Sequence, residues 1–120
     1  MAENYITKQE EKGTVNISED VIAVMVGAAV AEVEGVAGLG SPNTPDLMDL
    51  FGRKNPVKGL KIRFIDEKIT IDVLIVVRAS GSITDTAVRV QDTVCSEVES
   101  VTGMNTVVNV HVTGISFDKK

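Results

Sequence analysis

A strand pattern occupies residues 68–79, which read KITIDVLIVVRA. Apolar and polar side chains alternate along this segment, and a period of two is typical of a β-strand with one buried face. Asp72 lies on the opposite face with Thr70, and we expect its carboxylate to be exposed. The residues of the expected buried face are Ile69, Ile71, Val73, Ile75 and Val77.

Further strand patterns surround this segment. Residues 59–65 alternate in the same way and lead into it through a predicted tight turn at Asp66-Glu67. A short strand is predicted at 13–17. Residues 40–58 contain all three prolines and two glycines, which indicates a loop with one short helical turn at 46–51.

The last predicted strand covers residues 107–117. Val108, Val110 and Val112 should point inward and alternate with the outward polar residues Asn109, His111 and Thr113. Gly114 is predicted to form a bulge that returns Ile115 and Phe117 to the core.

Two helices are predicted between the strands. The first runs from about residue 19 to residue 33 behind an N-cap at Ser18. The second opens at Ser82 and ends at Gly103. Apolar residues spaced by three and four form one stripe along the second helix, namely Ile83, Ala87, Val90, Val94, Val98 and Val101.

These elements predict an α+β fold in the order β-α-β-β-α-β. The architecture is a two-layer sandwich, with two helices packed on one face of a three- to four-stranded sheet. Residues 13–117 are predicted to form a single domain, and residues 1–12 a flexible tail. A chain of 120 residues is long enough for one domain with its own core.

Composition and charge bear on which partners are expected. Aromatic residues make up only 3% of the chain, and the formal net charge is −5. Nucleic acids reward basic surfaces and aromatic stacking, so nucleic-acid binding is not favoured. The polar N-terminus does not resemble a secretion signal, and the longest apolar run, at 21–31, is too short to span a bilayer. The sequence predicts a soluble, cytoplasmic protein without direct membrane insertion.

The inventory of reactive residues predicts no enzyme, no cofactor and no metal. The chain has one cysteine, Cys95, and one histidine, His111. Metal sites and nucleophilic catalysis need several such groups at suitable spacing. We expect Cys95 to be an inert thiol within the second helix. His111 is expected at the surface, either solvated or in contact with a partner.

One basic segment stands out from the acidic remainder, which carries 7 basic and 17 acidic residues. It could dock an anionic partner, a lipid headgroup or RNA. The alternative is a solvated strand edge, where lysines deter aggregation. The candidate contact residues are Arg53, Lys54, Lys58, Lys61 and Arg63.

The first helix is apolar nearly all the way round, and such a helix is covered on more than one side. Small residues at Gly27, Ala28 and Ala31 allow another helix to approach closely. The second helix is expected to provide the additional cover. A homo-oligomer, in which another subunit covers these residues, is the alternative.

Several segments resemble, in order and spacing, the alkaline shock protein family of Gram-positive bacteria, also called the envelope stress response family. The resemblance covers residues 13–117, and no single motif carries it alone. The segments are GTVNIS at 13–18, EVEGV at 32–36, GRKN at 52–55, KGL at 58–60, ITIDV at 69–73, VTGM at 101–104 and VNVHV at 108–112.

The resemblance implies a non-enzymatic cytoplasmic protein of cell-envelope homeostasis that acts through protein contacts and self-assembly. Some family members reach the membrane through a separate anchor protein. The VNVHV segment is similar to the branch associated with regulation of acetyl-CoA carboxylase, the enzyme of fatty-acid synthesis. The family-like GRKN segment at 52–55 lies within the basic segment, so the resemblance implies that the basic segment is the contact surface.

Two other classes of function are alternatives to the hypothesis of an interaction protein of the cell envelope. The first is a small RNA-binding module that uses residues 53–63. The second is an enzyme acting through Asp72 or His111, which is disfavoured because neither residue has a visible partner in the sequence.

Overall fold

The computed structural model describes residues 5–51 and 59–117. Three helices and six strands occupy these ranges. In chain order they are β1 (Tyr5–Glu10), β2 (Gly13–Ser18), α1 (Glu19–Ala31), β3 (Val36–Leu39), α2 (Pro45–Phe51), β4 (Leu60–Ile65), β5 (Lys68–Arg78), α3 (Ile83–Thr102) and β6 (Asn105–Ser116).

Strand β5 is the centre of a four-stranded sheet. It pairs antiparallel with β4 and with β3, and it pairs parallel with β6 over its whole length. The parallel pair is connected through α3, as a parallel connection requires. Strand β6 lies at the edge of the sheet.

Helices α1 and α3 cover one face of this sheet and contact each other. The alternating residues predicted from β5 all face them and are fully buried. The core is entirely aliphatic at its centre, as the scarcity of aromatic residues requires. Its fully buried members include Ile22, Val26, Val30, Leu60, Ile69, Ile71, Val73, Ile75, Val77, Val90, Val94 and Val98.

The predicted α+β fold with two helices on one face of a sheet is confirmed. The helix signals are confirmed too: Ser18 and Ser82 accept hydrogen bonds from Val21 N and Asp85 N, both at 3.2 Å. Gly103 ends α3 in the left-handed conformation. The side-chain oxygen of an N-cap residue accepts a hydrogen bond from a backbone N–H group that has no partner within the first turn of the helix. At the other end of a helix, glycine adopts a positive φ without a steric penalty.

The N-terminal segment differs from the prediction. Residues 5–10, expected within a flexible tail, form β1 and pair antiparallel with β2. These two strands form a separate two-stranded sheet, so the strand predicted at 13–17 does not join the main sheet. Ile6 is buried against the core cluster, which gives β1 an apolar anchor despite its polar sequence.

Strand β3 was not predicted, because its glycines were interpreted only as the end of the first helix. The bulge predicted at Gly114 is confirmed, since the β5–β6 register shifts between the partners of Ile75 and Val76. Its expected consequence is wrong: Ile115 is 44% exposed and Phe117 is 79% exposed. Ile115 lies near the end of the edge strand, and Phe117 follows the last strand residue, Ser116.

Gly35 provides a test of the turn between α1 and β3. Its φ is +98°, and a Cβ atom built there would lie 2.5 Å from Thr86 Oγ1. We expect Gly35→Ala to lower the free energy of unfolding by about 2 kcal/mol, because alanine is strained at this φ and α3 leaves no room for the methyl group. Urea denaturation measures the change.

Gly38→Ala is the matched control, since a Cβ atom there meets nothing within 4 Å. Equal losses in the two variants would contradict this account of the turn.

Candidate interaction surfaces

The sheet face opposite α1 and α3, called here the open face, carries a buried carboxylate. Asp72 is 2% exposed, so the prediction that it is solvent-exposed is wrong. Its position opposite the helices was predicted correctly, but three polar side chains from neighbouring strands surround the carboxylate. A buried carboxylate is tolerated only where its oxygens accept hydrogen bonds.

These side chains and Asp72 form what we call the Asp72 cluster. Arg63 Nη2 donates to Asp72 Oδ2 at 2.6 Å. Asn109 Nδ2 donates to Oδ1 at 3.2 Å, and His111 Nε2 lies 3.1 Å from the same oxygen. Both carboxylate oxygens are therefore engaged, and charge-assisted bonds of this kind are stronger than neutral ones.

Strand register brings the cluster together. Asn109 pairs directly with Asp72 across the parallel β5–β6 ladder, and His111 is two residues further along the same face. On the antiparallel side, Lys61 pairs with Asp72, and Arg63 is the diagonal neighbour. Diagonal neighbours on one face lie within reach of long side chains.

Asp72 and His111, which have no visible partner in the sequence, are partners of each other in the structure. The arrangement still favours positioning over chemistry. Asp72 is buried and its oxygens are occupied, so it holds Arg63, Asn109 and His111 in place and does not present a free carboxylate to a substrate. His111 is 31% exposed and remains accessible beside it.

The basic segment is divided by the structure. Arg53, Lys54 and Lys58 lie outside the described residues, so their expected role stays a prediction. Lys61 is half-buried on β4 and shares the open face with the Asp72 cluster. Arg63 is paired with Asp72, which offsets its charge.

A second surface lies on α1. Its four members recur at intervals of three and four residues, so they share one side of the helix. They form what we call the α1 stripe: Val21, Val24, Ala28 and Ala31, all exposed. Val21 and Val24 are 57% and 61% exposed and, with Met25 and Asp20, border a shallow, almost purely apolar depression.

The α1 stripe tests one of the two expectations from the sequence, and the homo-oligomer stays a prediction. Helix α3 contacts α1, but it does not cover the stripe, so the expectation that α3 hides the rest of α1 is wrong. Of the predicted small residues, Ala28 and Ala31 are exposed and Gly27 is half-buried. The apolar row on α1 is therefore left exposed to solvent in the isolated chain.

Within the described ranges, no group of three or more His, Cys, Asp or Glu side chains is arranged to hold a metal ion. Across the same ranges, none of the helices is both long and apolar enough to cross a bilayer.

Cys95 packs on α3 beside the start of β6, and its Sγ donates to Thr106 O at 3.1 Å. Burial raises the pKa of the Cys95 thiol, and the carboxylates of Glu99 and Asp92 raise it further. A raised pKa lowers the thiolate fraction at neutral pH, and the thiolate is the reactive form.

We therefore expect iodoacetamide to alkylate Cys95 of the folded protein more slowly than Cys95 of the urea-unfolded chain, because the raised pKa leaves less thiolate in the folded state. Mass spectrometry over time gives both rates. Asp92→Asn should speed the folded reaction by removing one of the nearby negative charges. Folded and unfolded rates that agree would refute the assignment.

The sequence of this chain is similar to those of several known proteins. The model of the alkaline shock protein family, described by a cell envelope-related function, matches residues 7–117. The chain is 34% identical to the uncharacterized protein YqhY of Bacillus subtilis over 125 aligned positions, which cover 100% of this chain and 93% of the relative. It is 31% identical to the uncharacterized protein Spy1614 of Streptococcus pyogenes, with coverage of 86% and 88%.

Solved structures show a similar fold at low sequence identity. A MamM-CTD structure superposes with a TM-score of 0.54 at 16% identity, covering 79% of this chain and 96% of that one. The copper form of MamM CTD gives a TM-score of 0.53, with coverage of 85% and 90%. At this identity the likeness concerns the fold alone.

The family match spans nearly the whole described chain, and two relatives support it over most of their own length. The resemblance noted from the sequence segments is thereby confirmed. The chain belongs to the alkaline shock protein family, whose described function is related to the cell envelope.

Proposed function

We propose that this protein is a non-enzymatic interaction protein of cell-envelope homeostasis, and that it acts in the cytoplasm by binding another protein through the α1 stripe. The observation that carries the proposal is the exposure of four apolar residues in one row on a helix whose other side is buried in the core through Ile22, Ala23, Val26 and Val30.

The exposed apolar area of the α1 stripe favours burial against a partner. Val21 and Val24 each leave more than half of their surface in water. Removing apolar surface from water contributes roughly 25 cal/mol per Å². The small side chains of Ala28 and Ala31 let a partner helix approach the C-terminal half of the stripe closely, which favours a helix laid along α1.

Membership of the family narrows the expected partners. The sequence resemblance implies two classes: a membrane anchor protein, which would hold the chain at the membrane periphery, or acetyl-CoA carboxylase, whose regulation would link the chain to fatty-acid synthesis. A second copy of the chain is the third expected partner. All three would use apolar contacts without a reacting group.

The Asp72 cluster supports a non-enzymatic role. Its carboxylate is surrounded by donors and is buried, while catalytic acids and bases must reach the substrate within hydrogen-bonding distance. The exposed side of His111, with Lys61 nearby on the same face, is better suited to a polar contact at the rim of an interface.

RNA binding through residues 53–63 is the weaker alternative. Arg63 pairs with Asp72, which reduces the charge available to phosphate groups. RNA affinity that falls steeply with salt and is lost in the Lys54→Glu, Lys58→Glu variant would favour it.

Affinity capture from cells tests the proposal. The tagged chain, expressed in place of the native gene in a Gram-positive host, should enrich one membrane protein or the subunits of acetyl-CoA carboxylase. Val24→Asp should lose that enrichment. Val15→Asp is the matched control, because Val15 is 47% exposed but lies on β2, away from the stripe. Equal capture by all three chains would contradict the proposal.

A further inference from the structure

The outer edge of β6 has an unusual composition for a sheet edge. The strand is twelve residues long, and its sequence NTVVNVHVTGIS contains no Asp, Glu, Lys or Arg. In the described ranges it pairs with β5 along one edge only. Natural edge strands are usually protected by charges, by proline or by being short.

The first part of this edge is protected by α3. Glu99 Oε2 accepts from Thr106 N, Cys95 Sγ donates to Thr106 O, and Gln91 Nε2 donates to Val108 O, each at 3.1 Å. Gln91, Cys95 and Glu99 are spaced four residues apart on α3. They contact β6 in reverse order along the strand, because α3 runs antiparallel to β6. Thr106 and Val108 thus direct their backbone groups away from β5.

The hydrogen bonds from α3 stop at Val108, and the next side chain that bonds to the backbone of β6 is Asn43, whose Nδ2 donates to Thr113 O at 3.2 Å. The next residue in the helical row is Ala87, whose methyl group cannot form a hydrogen bond. In a parallel ladder, alternate residues point their N–H and C=O groups to the same side, so those of Val110 and Val112 also point outward. Among the described residues, none is seen to pair with them on that side.

Apolar side chains surround this unprotected part of the edge. Val112 is 37% exposed and Ile115 is 44% exposed on the strand. Ile83 and Val88, at the N-terminal end of α3, are 42% and 46% exposed. The antiparallel course of α3 along β6 places this end of the helix beside Val110–Val112.

We propose that a second copy of this chain pairs with this edge, β6 antiparallel to β6, in a two-fold symmetric dimer. Val110 of each copy would face Val112 of the other and exchange backbone hydrogen bonds, four in total. His111 would then face His111 of the second copy at the symmetry axis, as a non-hydrogen-bonded pair. The main sheets would join into one continuous sheet.

A second copy fits this edge better than a foreign strand for two reasons. The outward groups at 110 and 112 are related by a two-fold axis through 111, so the edge is complementary to itself. The chain has a net charge of −5, and two copies repel each other, but this contact brings no carboxylates or cations into direct opposition along the paired strands. The exposed ends of both α3 helices would also approach one another.

This dimer deepens the self-assembly included in the proposed function and uses a different surface from the α1 stripe. A dimer that fails to form would leave partner capture by the stripe unaffected, and loss of capture in Val24→Asp would leave the dimer intact. The two proposals are therefore separable by experiment.

Disulfide trapping in the full chain tests the register. In a Cys95→Ser background, which keeps a hydrogen-bond donor toward Thr106, His111→Cys places one thiol at the symmetry axis. Cα atoms of a non-hydrogen-bonded pair lie about 4.5 Å apart, within the range of a disulfide. Mild oxidation should convert most of the chain to a dimer that reductant dissociates.

Asn109→Cys in the same background is the matched control. Like His111, Asn109 faces the open side of the sheet and contacts Asp72, so both variants lose one hydrogen bond of the Asp72 cluster. In the proposed dimer, the cysteines at position 109 of the two copies would be offset by four residues along the strands. Their Cα atoms would lie about 14 Å apart, which is too far for a disulfide. It should remain largely monomeric.

Sedimentation of the unmodified chain gives an independent readout. We expect a mass of twice 12.8 kDa at high concentration, and Val112→Lys should restore the monomer mass by placing a charge at the paired edge. The proposal is overturned if the unmodified chain is a monomer at every concentration, or if the dimer persists in Val112→Lys. It is also overturned if Asn109→Cys and His111→Cys form disulfide-linked dimers equally well, or if only a foreign strand binds this edge.

Discussion

Asp72→Ala is expected to lower the free energy of unfolding by about 3 kcal/mol, because it removes the acceptor for three donors and leaves a cavity in a buried site. Arg63 and His111 would lose a charge-assisted partner, and Asn109 would lose an amide hydrogen bond. Their side chains are partly exposed and regain some hydration, which keeps the loss below that of a fully buried ion pair.

Urea denaturation of the purified chain measures this change. Asp92→Ala is the control, since it removes an exposed carboxylate from the surface of α3. Asp72→Asn separates charge from shape: it keeps the side-chain volume but loses one acceptor oxygen, so its loss should fall between those of the two alanine variants. A loss in Asp72→Ala no greater than in Asp92→Ala would show that the Asp72 cluster does not hold the strands together.

Val24→Asp is expected to weaken binding to the captured partner at least tenfold, which corresponds to about 1.4 kcal/mol. The physical reason is the cost of placing a carboxylate without a partner in an apolar interface. The free energy of unfolding should change by no more than about 0.5 kcal/mol, because Val24 is 61% exposed in the isolated chain and aspartate has a similar helix propensity.

Isothermal titration calorimetry with the purified partner measures the affinity, and urea denaturation checks that the variant is folded. Val15→Asp should bind as tightly as the unmodified chain. An affinity that is unchanged in Val24→Asp would place the contact elsewhere on the molecule, and a large loss of stability would mean that the stripe belongs to the core.

The elements of this fold were largely predictable from the sequence, because period-two and period-3.6 patterns report which face of each element is buried. The central strand and both long helices are examples. Strand β3 was missed because four residues with a glycine carry too little pattern. Strand β1 was missed because its pairing with β2 depends on backbone hydrogen bonds, which a polar sequence does not reveal.

The two candidate surfaces differed in how far they could be predicted. The α1 stripe follows from a helix that is apolar all round, and only the extent of the cover from α3 required the structure. The Asp72 cluster depends on the register between β5 and β6, which a helix of twenty residues separates in the chain. The spacing of these residues in the sequence does not predict that Asn109 and His111 contact Asp72.

Site-specific photocrosslinking in living cells tests the contact role of the α1 stripe most directly. A photoreactive phenylalanine analogue at position 24 or at position 15 reports which proteins touch that side chain. We predict one defined protein adduct at position 24 and none at position 15. Position 24 without an adduct, or the same adducts at both positions, would contradict the assignment of α1 as the surface through which this protein acts.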